Sequence, residues 1–267
     1  MQNLLAALLL SATSLTALAQ SDPAFTTTCN EASSNADNQR GYCETRDLTL
    51  PAPASGALSV DAQRNGGITV RSWSGSDVRV RARVQAWGAD EAAAKATAAG
   101  VTINSSGNKL HASAPGGEGS WSVSYELLVP EKTALALKTR NGGISLEGVR
   151  GPVTFEAENG GVSIVGDGGD VRGRTQNGGL SITLNGKKWE GKGLDVATTN
   201  GGISWKIPSD YTARLYSSTN RGHINNDFAS VKDKPRPEGE IALALGKGGA
   251  SMKAVTTNGG ISIRRMQ

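Results

Sequence analysis

The sequence predicts an all-β fold: a β-solenoid, or single-stranded parallel β-helix-like stack, of Asn-Gly-Gly-cornered rungs with one short helix in its N-terminal half. Three observations predict it. Asn-Gly-Gly followed by an aliphatic residue recurs through the chain. The residues flanking each copy alternate between apolar and polar with the period of a strand. The composition, 35 Gly among 267 residues with 4% aromatic and 37% hydrophobic side chains, suits thin layers of small and β-branched residues better than one bulky core.

The chain opens with an apolar run from Leu4 to Leu10 and then small residues ending in Ala17-Leu18-Ala19. Apart from its missing basic start, that is the layout of a secretory signal, and it predicts residues 1–19 as a signal peptide cleaved after Ala19. Ser11, Thr13 and Ser14 interrupt the run before it reaches the length of a membrane span. The mature protein is therefore expected to be exported, periplasmic or secreted, as part of a bacterial cell envelope. Residues 20–56 are rich in Ser, Thr, Asn and Pro and read as a loosely ordered N-terminal arm docking near Leu48-Thr49-Leu50. Cys29 and Cys43 are the only cysteines, and in an oxidising compartment a disulfide between them is expected, with two free thiols as the alternative. By chain-entropy reasoning such a bridge contributes about 3 kcal/mol. Two cysteines and two histidines make a metal site a poor expectation.

Residues 57–267 read as one β-repeat domain. Val78-Arg79-Val80-Arg81-Ala82-Arg83-Val84 is an amphipathic strand whose basic face, Arg79, Arg81 and Arg83, is either a solvated outer face or a contact for phosphate or polysaccharide carboxylate. Asp90 to Ala99 is the helix: Asp90 caps it, Glu91-Ala92-Ala93-Ala94-Lys95 are strong formers, and Gly100 stops it. Too short to be stable alone, it is expected to cover an end or flank of the β core. Strands over Val101–Ile103, Lys109–Ala112 and Trp121–Val129 follow, the last ended by Pro130.

Copies of the corner begin at Asn65, Asn141, Asn159, Asn177, Asn200 and Asn258, with a degenerate copy at Arg221-Gly222-His223-Ile224. Eighteen residues separate Asn141 from Asn159 and Asn159 from Asn177, so the unit is short. Gly at the corner suggests positive φ, and Asn tolerates the left-handed region while bonding local backbone. Two architectures can use such a corner. Asn-Gly is a strong two-residue hairpin signal, which would give an antiparallel meander. Stacked rungs would instead let each Asn hydrogen-bond the next in a ladder, and the near-constant unit favours this. A lone rung buries too few aliphatics to offset the ordering of its backbone, so neighbours must bury it. Asn225 to Gly249 reads as an outward loop before Ile241–Leu245 rejoins the sheet. Arg264 and Arg265, one strand after the last corner, read as guards against pairing at a terminal edge.

The run from Leu58 to Arg265 resembles the bacterial putative-adhesin family of unknown function, exported proteins of β-strand repeats. The matching features are the Val-Arg-Val-Arg-Ala-Arg-Val strand, the alanine-rich helix, Tyr125-Glu126-Leu127-Leu128-Val129-Pro130, the repeats headed Thr-x-Asn-Gly-Gly, and Gly193-Leu194-Asp195-Val196-Ala197-Thr198-Thr199-Asn200. The resemblance implies a solenoid-like β domain with adhesion as its presumed role, and it brings no catalytic residues.

Chemistry is sparse. Asp167 and Asp170, in Gly166-Asp167-Gly168-Gly169-Asp170, echo a calcium-binding glycine-rich repeat, but that motif works in tandem and here stands once. His111 and His223 have no nucleophile pattern around them, and neither H-E-x-x-H nor a P-loop occurs. Trp205 has inward parity and reads as core. Trp189, inside the insertion Asn185–Lys192, reads as a sugar contact or as a lid packed on the repeats. The expectation is a non-catalytic adhesion-type envelope protein, without cofactor or metal, that binds an unidentified envelope macromolecule. Anionic glycan and lipid surfaces are the candidates, through Arg79, Arg81, Arg83 and Trp189; nucleic acid is not expected, nor a membrane span after cleavage. A polysaccharide-active β-helix enzyme and a purely structural envelope spacer are the alternatives. The net charge of +4 is only a mild basic bias.

Overall fold

A computed structural model of the chain describes residues 23–29, 39–115, 120–228 and 238–266. The predicted signal peptide with its cleavage site, and part of the expected outward loop, lie outside them. The alternating segments form β1 (Arg40–Pro51), β2 (Leu58–Asp61), β3 (Ile68–Trp73) and β4 (Asp77–Gly88), then helix α1 (Glu91–Gly100), β5 (Thr102–Asn104), β6 (Lys109–Ser113) and β7 (Trp121–Pro130). The repeats follow in pairs: β8 (Leu135–Asn141) and β9 (Ile144–Glu147), β10 (Pro152–Asn159) and β11 (Val162–Gly166), β12 (Gly168–Asn177) and β13 (Leu180–Leu184). Next come β14 (Glu190–Asn200) and β15 (Ile203–Pro208), then β16 (Ala213–Arg221) and β17 (Ile224–Asn226). The chain ends with β18 (Glu240–Leu245) and the pair β19 (Ser251–Asn258) and β20 (Ile261–Met266).

Among the described residues these strands make two mixed sheets of ten. The first is ordered β1-β4-β7-β3-β9-β11-β13-β15-β20-β17, the second β18-β16-β19-β14-β12-β10-β8-β2-β6-β5. Every corner carries the chain from the second sheet to the first, and successive copies pair in parallel, residue for residue, as in Asn159 with Asn141 and Asn177 with Asn200. A hairpin meander would have paired the two strands of one unit with each other, and they do not pair. Inward aliphatics meet their counterparts, such as Ile144, Val162, Leu180 and Ile203, each no more than 3% exposed. Large and small residues alternate where a column would be overfilled. Phe155 lies where a Cβ on Gly173, its neighbour in the next rung, would come within 2.4 Å of the ring.

The stacking order departs from the chain order at the end. The last pair, β19 and β20, is inserted between β14/β15 and β16/β17, so β20 pairs on both sides and Arg264 and Arg265 do not guard an edge. The degenerate corner Arg221-Gly222-His223 takes the terminal place, and β18 closes that end of the second sheet by antiparallel pairing with β16.

The corner is built differently from its sequence expectation. None of its glycines has positive φ. They are glycine because adjacent rungs approach closely: a Cβ on the first glycine would stand 2.0–2.2 Å from the preceding rung's carbonyl oxygen, at Gly142, Gly160, Gly178, Gly201, Gly259 and Gly222 alike. The second glycine faces the following rung at 3.2–3.5 Å. In the terminal copy no rung follows, and there His223 replaces glycine while Gly222 is kept. A threonine two residues before the corner uses the same approach, donating its hydroxyl to the first glycine's carbonyl in the neighbouring rung, from Thr139, Thr175, Thr198, Thr219 and Thr256 at 2.6–2.8 Å. Ala157 holds this seat in the Asn159 rung. Ala157→Thr should restore the bond to the Gly142 carbonyl and stabilise by about 1 kcal/mol, read as a midpoint rise of roughly 2–4 °C in thermal unfolding. An unchanged or lowered midpoint would reject this account of the threonine column.

At the other end, α1 lies against β4 and β1. Asp90 accepts the Ala93 N–H at 2.8 Å, and Arg46 of β1 donates to the carbonyls of Ala98 and Val101 at the helix C-terminus. Residues 40–51 are thus a paired edge strand, not part of a loose arm: their alternation matches β4, with Leu48 opposite Val80 and Leu50 opposite Val78. Among the described residues no helix is long and apolar enough to cross a membrane.

Candidate functional site

The outward faces of both sheets hold the candidate binding groups. On the first sheet Thr69, Ser145, Ser163, Ser181, Ser204 and Ser262 are register partners on successive strands. They flank the column of second glycines, and all but Ser262 line, with those glycines, a groove of about 720 Å³. Glu126 on β7, the partner of Thr69, continues the hydroxyl column at one end.

That end is occupied. The segment Pro23 to Cys29 crosses the sheet, and the Glu126 carboxylate, 1% exposed, accepts the Thr26 and Thr27 backbone N–H groups at 2.7–3.0 Å and the Arg71 guanidinium at 2.5 Å. Burial alone would raise its pKa. The N–H groups of Thr26 and Thr27, then the Thr27 side chain and Arg71, outweigh burial and hold it at about 2. A disulfide between Cys29 and Cys43, with Cα atoms 5.7 Å apart, ties the segment to β1.

The same segment covers the basic strand. Arg81 makes a two-pronged pair with Asp47 at 2.7 and 2.8 Å, donates to the Thr27 carbonyl and lies 4.7 Å from the Phe25 ring centre. Its hydrogen bond holds the Asp47 carboxyl below its ordinary pKa. Arg79 stacks 3.8 Å from the Trp73 ring centre, and the Nε of Arg83 is buried. Two of the three arginines are therefore engaged within the fold, Arg79 by Trp73 and Arg81 by Asp47, Phe25 and Thr27. The sparse apolar pattern of residues 40–51 hides the pairing partner on β1.

No family model and no curated protein matches the chain. Solved structures do. One is a putative cell adhesion protein from Clostridium sporogenes, at 10% identity and a TM-score of 0.43, covering 84% of this chain and 100% of that one. A putative adhesin from Bacteroides fragilis aligns at 12% identity and 0.34, covering 84% and 97%. A putative lipid binding protein from Parabacteroides distasonis aligns at 11% and 0.31, covering 83% and 97%.

The remaining predicted residues are placed as follows. Trp189 is 5% exposed and donates its Nε1–H to the Gly169 carbonyl at 2.9 Å, so it is a lid packed on the repeats and has no face free for a sugar. Trp205 is fully buried, its Nε1–H directed to Ser217. Asp167 forms a two-pronged pair with Arg150 at 2.6 and 3.0 Å, and Asp170 pairs with Arg172 and Lys192. His111 lies on β6 and His223 at the terminal corner. Among the described residues no group of three or more His, Cys, Asp or Glu side chains could hold a metal ion. The corner asparagines form a one-way ladder, each amide donating to the preceding oxygen from Asn141 to Asn65, through Asn159, Asn177 and Asn200, to Asn258, at 2.7–3.0 Å. Sequence reading missed Glu126. A lone carboxylate inside Tyr-Glu-Leu-Leu-Val was the available signal, since such a group must find donors when buried.

Proposed function

We propose that the chain is an exported, non-catalytic, adhesion-type binding protein of the bacterial envelope. Its paired sheets act as a β-solenoid-like stack that holds outward side chains in fixed columns for an envelope macromolecule. The observation that carries this reading is the hydroxyl column of the first sheet: six Ser and Thr residues in register, repeating at about 4.8 Å beside a glycine floor. A periodic, rigid surface suits a periodic polymer, because its side chains are ordered before binding and little entropy is lost there. The Cys29–Cys43 bridge supports an oxidising compartment. The ion pairs of Asp167 and Asp170 favour a structural over an acid–base role for these carboxylates.

Expression of the full chain in a bacterium, followed by fractionation, tests export: the expected product starts at Gln20, is oxidised at Cys29–Cys43 and is found in the envelope or medium. An uncleaved cytosolic product would sink that part. The purified mature protein should co-sediment with an envelope polysaccharide preparation without releasing reducing ends. Failure to co-sediment rejects binding, and release of reducing ends would put a polysaccharide-active enzyme in its place.

A further inference from the structure

A second trough, of about 1070 Å³, crosses the outer face of the other sheet, and its two halves differ in chemistry. Toward β8 the outward side chains are long, charged and paired between neighbouring strands, Arg140 with Glu158 at 3.0 Å and Arg174 with Glu156 at 2.8 Å. Toward β16 the same columns become short and neutral. Ala197, Val255 and Ser218 follow Arg174 in one column. Thr199, Thr257 and Asn220 stand in the adjoining column, nearer the corners. Tyr216 and the Lys253–Asp195 pair, 3.4 Å apart, close the side away from the corners.

Three strands about 4.8 Å apart give this half a floor about 10 Å across. The side chains of Thr199, Thr257, Asn220 and Tyr216 are hydrogen-bonded to no other residue among those described. In this half Lys253 already faces a carboxylate, as do Arg140 and Arg174 toward β8, so a bound anion would have to compete there; Arg64 and Lys138 line only the far half. What is left for a ligand is an apolar floor, one aromatic ring and a rim of neutral donors and acceptors. A pyranose has matching parts: a C–H face for the floor and ring, and a hydroxyl edge for the rim.

We propose that the β14–β19–β16 face binds a neutral oligosaccharide, with Tyr216 as its aromatic contact. This face lies on the sheet opposite the hydroxyl column, so the proposal goes beyond the envelope-binding reading and is tested separately from it. The test is calorimetric titration of residues 20–267 with maltohexaose, cellohexaose and chitohexaose, and with oligogalacturonate as the anionic comparison. Saturable binding to at least one neutral hexaose is expected, unchanged between low and high salt. Tyr216→Ala and, independently, Ala197→Arg, which fills the floor, should each weaken it about tenfold or more while keeping the parent unfolding midpoint. Lys206→Ala, on the opposite sheet, should bind as the parent does. No binding to any neutral hexaose overturns the proposal, as do Tyr216 and Ala197 variants that bind like the parent. Salt-sensitive binding to oligogalacturonate alone also overturns it, yet leaves envelope binding standing, which co-sedimentation decides separately.

Discussion

Gly178→Ala is expected to lose about 3 kcal/mol or more of stability, or to fail to fold, while Gly179→Ala beside it loses only about 1 kcal/mol. The two residues share composition, corner and exposure to ordinary helix or strand propensity, so the contrast isolates geometry. A Cβ at 178 would stand 2.1 Å from the Gly160 carbonyl oxygen, with the Gly160 carbonyl carbon and the Gly161 nitrogen close behind. These are backbone atoms fixed in a ladder, and Gly160 also accepts the Thr175 hydroxyl, so they cannot give way without opening the rung. At 179 the nearest atom is the Gly202 oxygen at 3.2 Å, which a shift of a few tenths of an ångström relieves. Denaturant unfolding of the two variants measures the difference. Equal losses would show that the glycines serve chain flexibility and not the close approach of rungs.

The second large effect is expected at Glu126. Its folded pKa of about 2 lies below the ordinary 4.5, so its contribution is fully present above the ordinary value and is lost as pH falls from about 4.5 toward 2. The difference is worth on the order of 3 kcal/mol. Glu126→Gln should remove most of that acid dependence and lower stability near neutral pH, since an amide accepts the Thr26 and Thr27 N–H groups more weakly and no longer neutralises Arg71. Because Glu126 holds the Thr26 and Thr27 backbone of this segment, the Cys29–Cys43 bridge should also become reducible by dithiothreitol several-fold faster. A variant with the parent's pH profile and reduction rate would mean that the segment is held elsewhere.

Much of the architecture was legible in the sequence because its rule is local and repeated. Thr-x-Asn-Gly-Gly-Ile specifies a buried hydroxyl, an amide ladder, a close approach and an inward aliphatic, all within six residues. The period of two around each copy fixed which side chains point inward. The reason for the glycines was misread, since a tight turn and a tight contact between rungs ask for the same residue. The order of the last two rungs was readable in principle: Arg221 cannot extend an amide ladder and His223 cannot lie under a following rung, so that copy belongs at an end. Residues 40–51 do not announce a strand in the sequence, because Tyr42, Cys43, Leu48 and Leu50 are too sparsely apolar and β4 supplies the pairing from far along the chain. Burial of Trp189 depends on the path of a single insertion, for which no repeat offers a template.

The inserted position of β19 and β20 has a consequence for biogenesis. As the polypeptide is made, units can be added one upon another only as far as β14 and β15. The segment made next must wait aside, because its seat does not exist until β19 and β20 have arrived beside β14 and β15. Without β19 and β20, the edges of β14, β15, β16 and β17 that pair with them would be left open. Arrival of β19 and β20 is thus the event that closes the stack, and a protease can tell closed molecules from open ones.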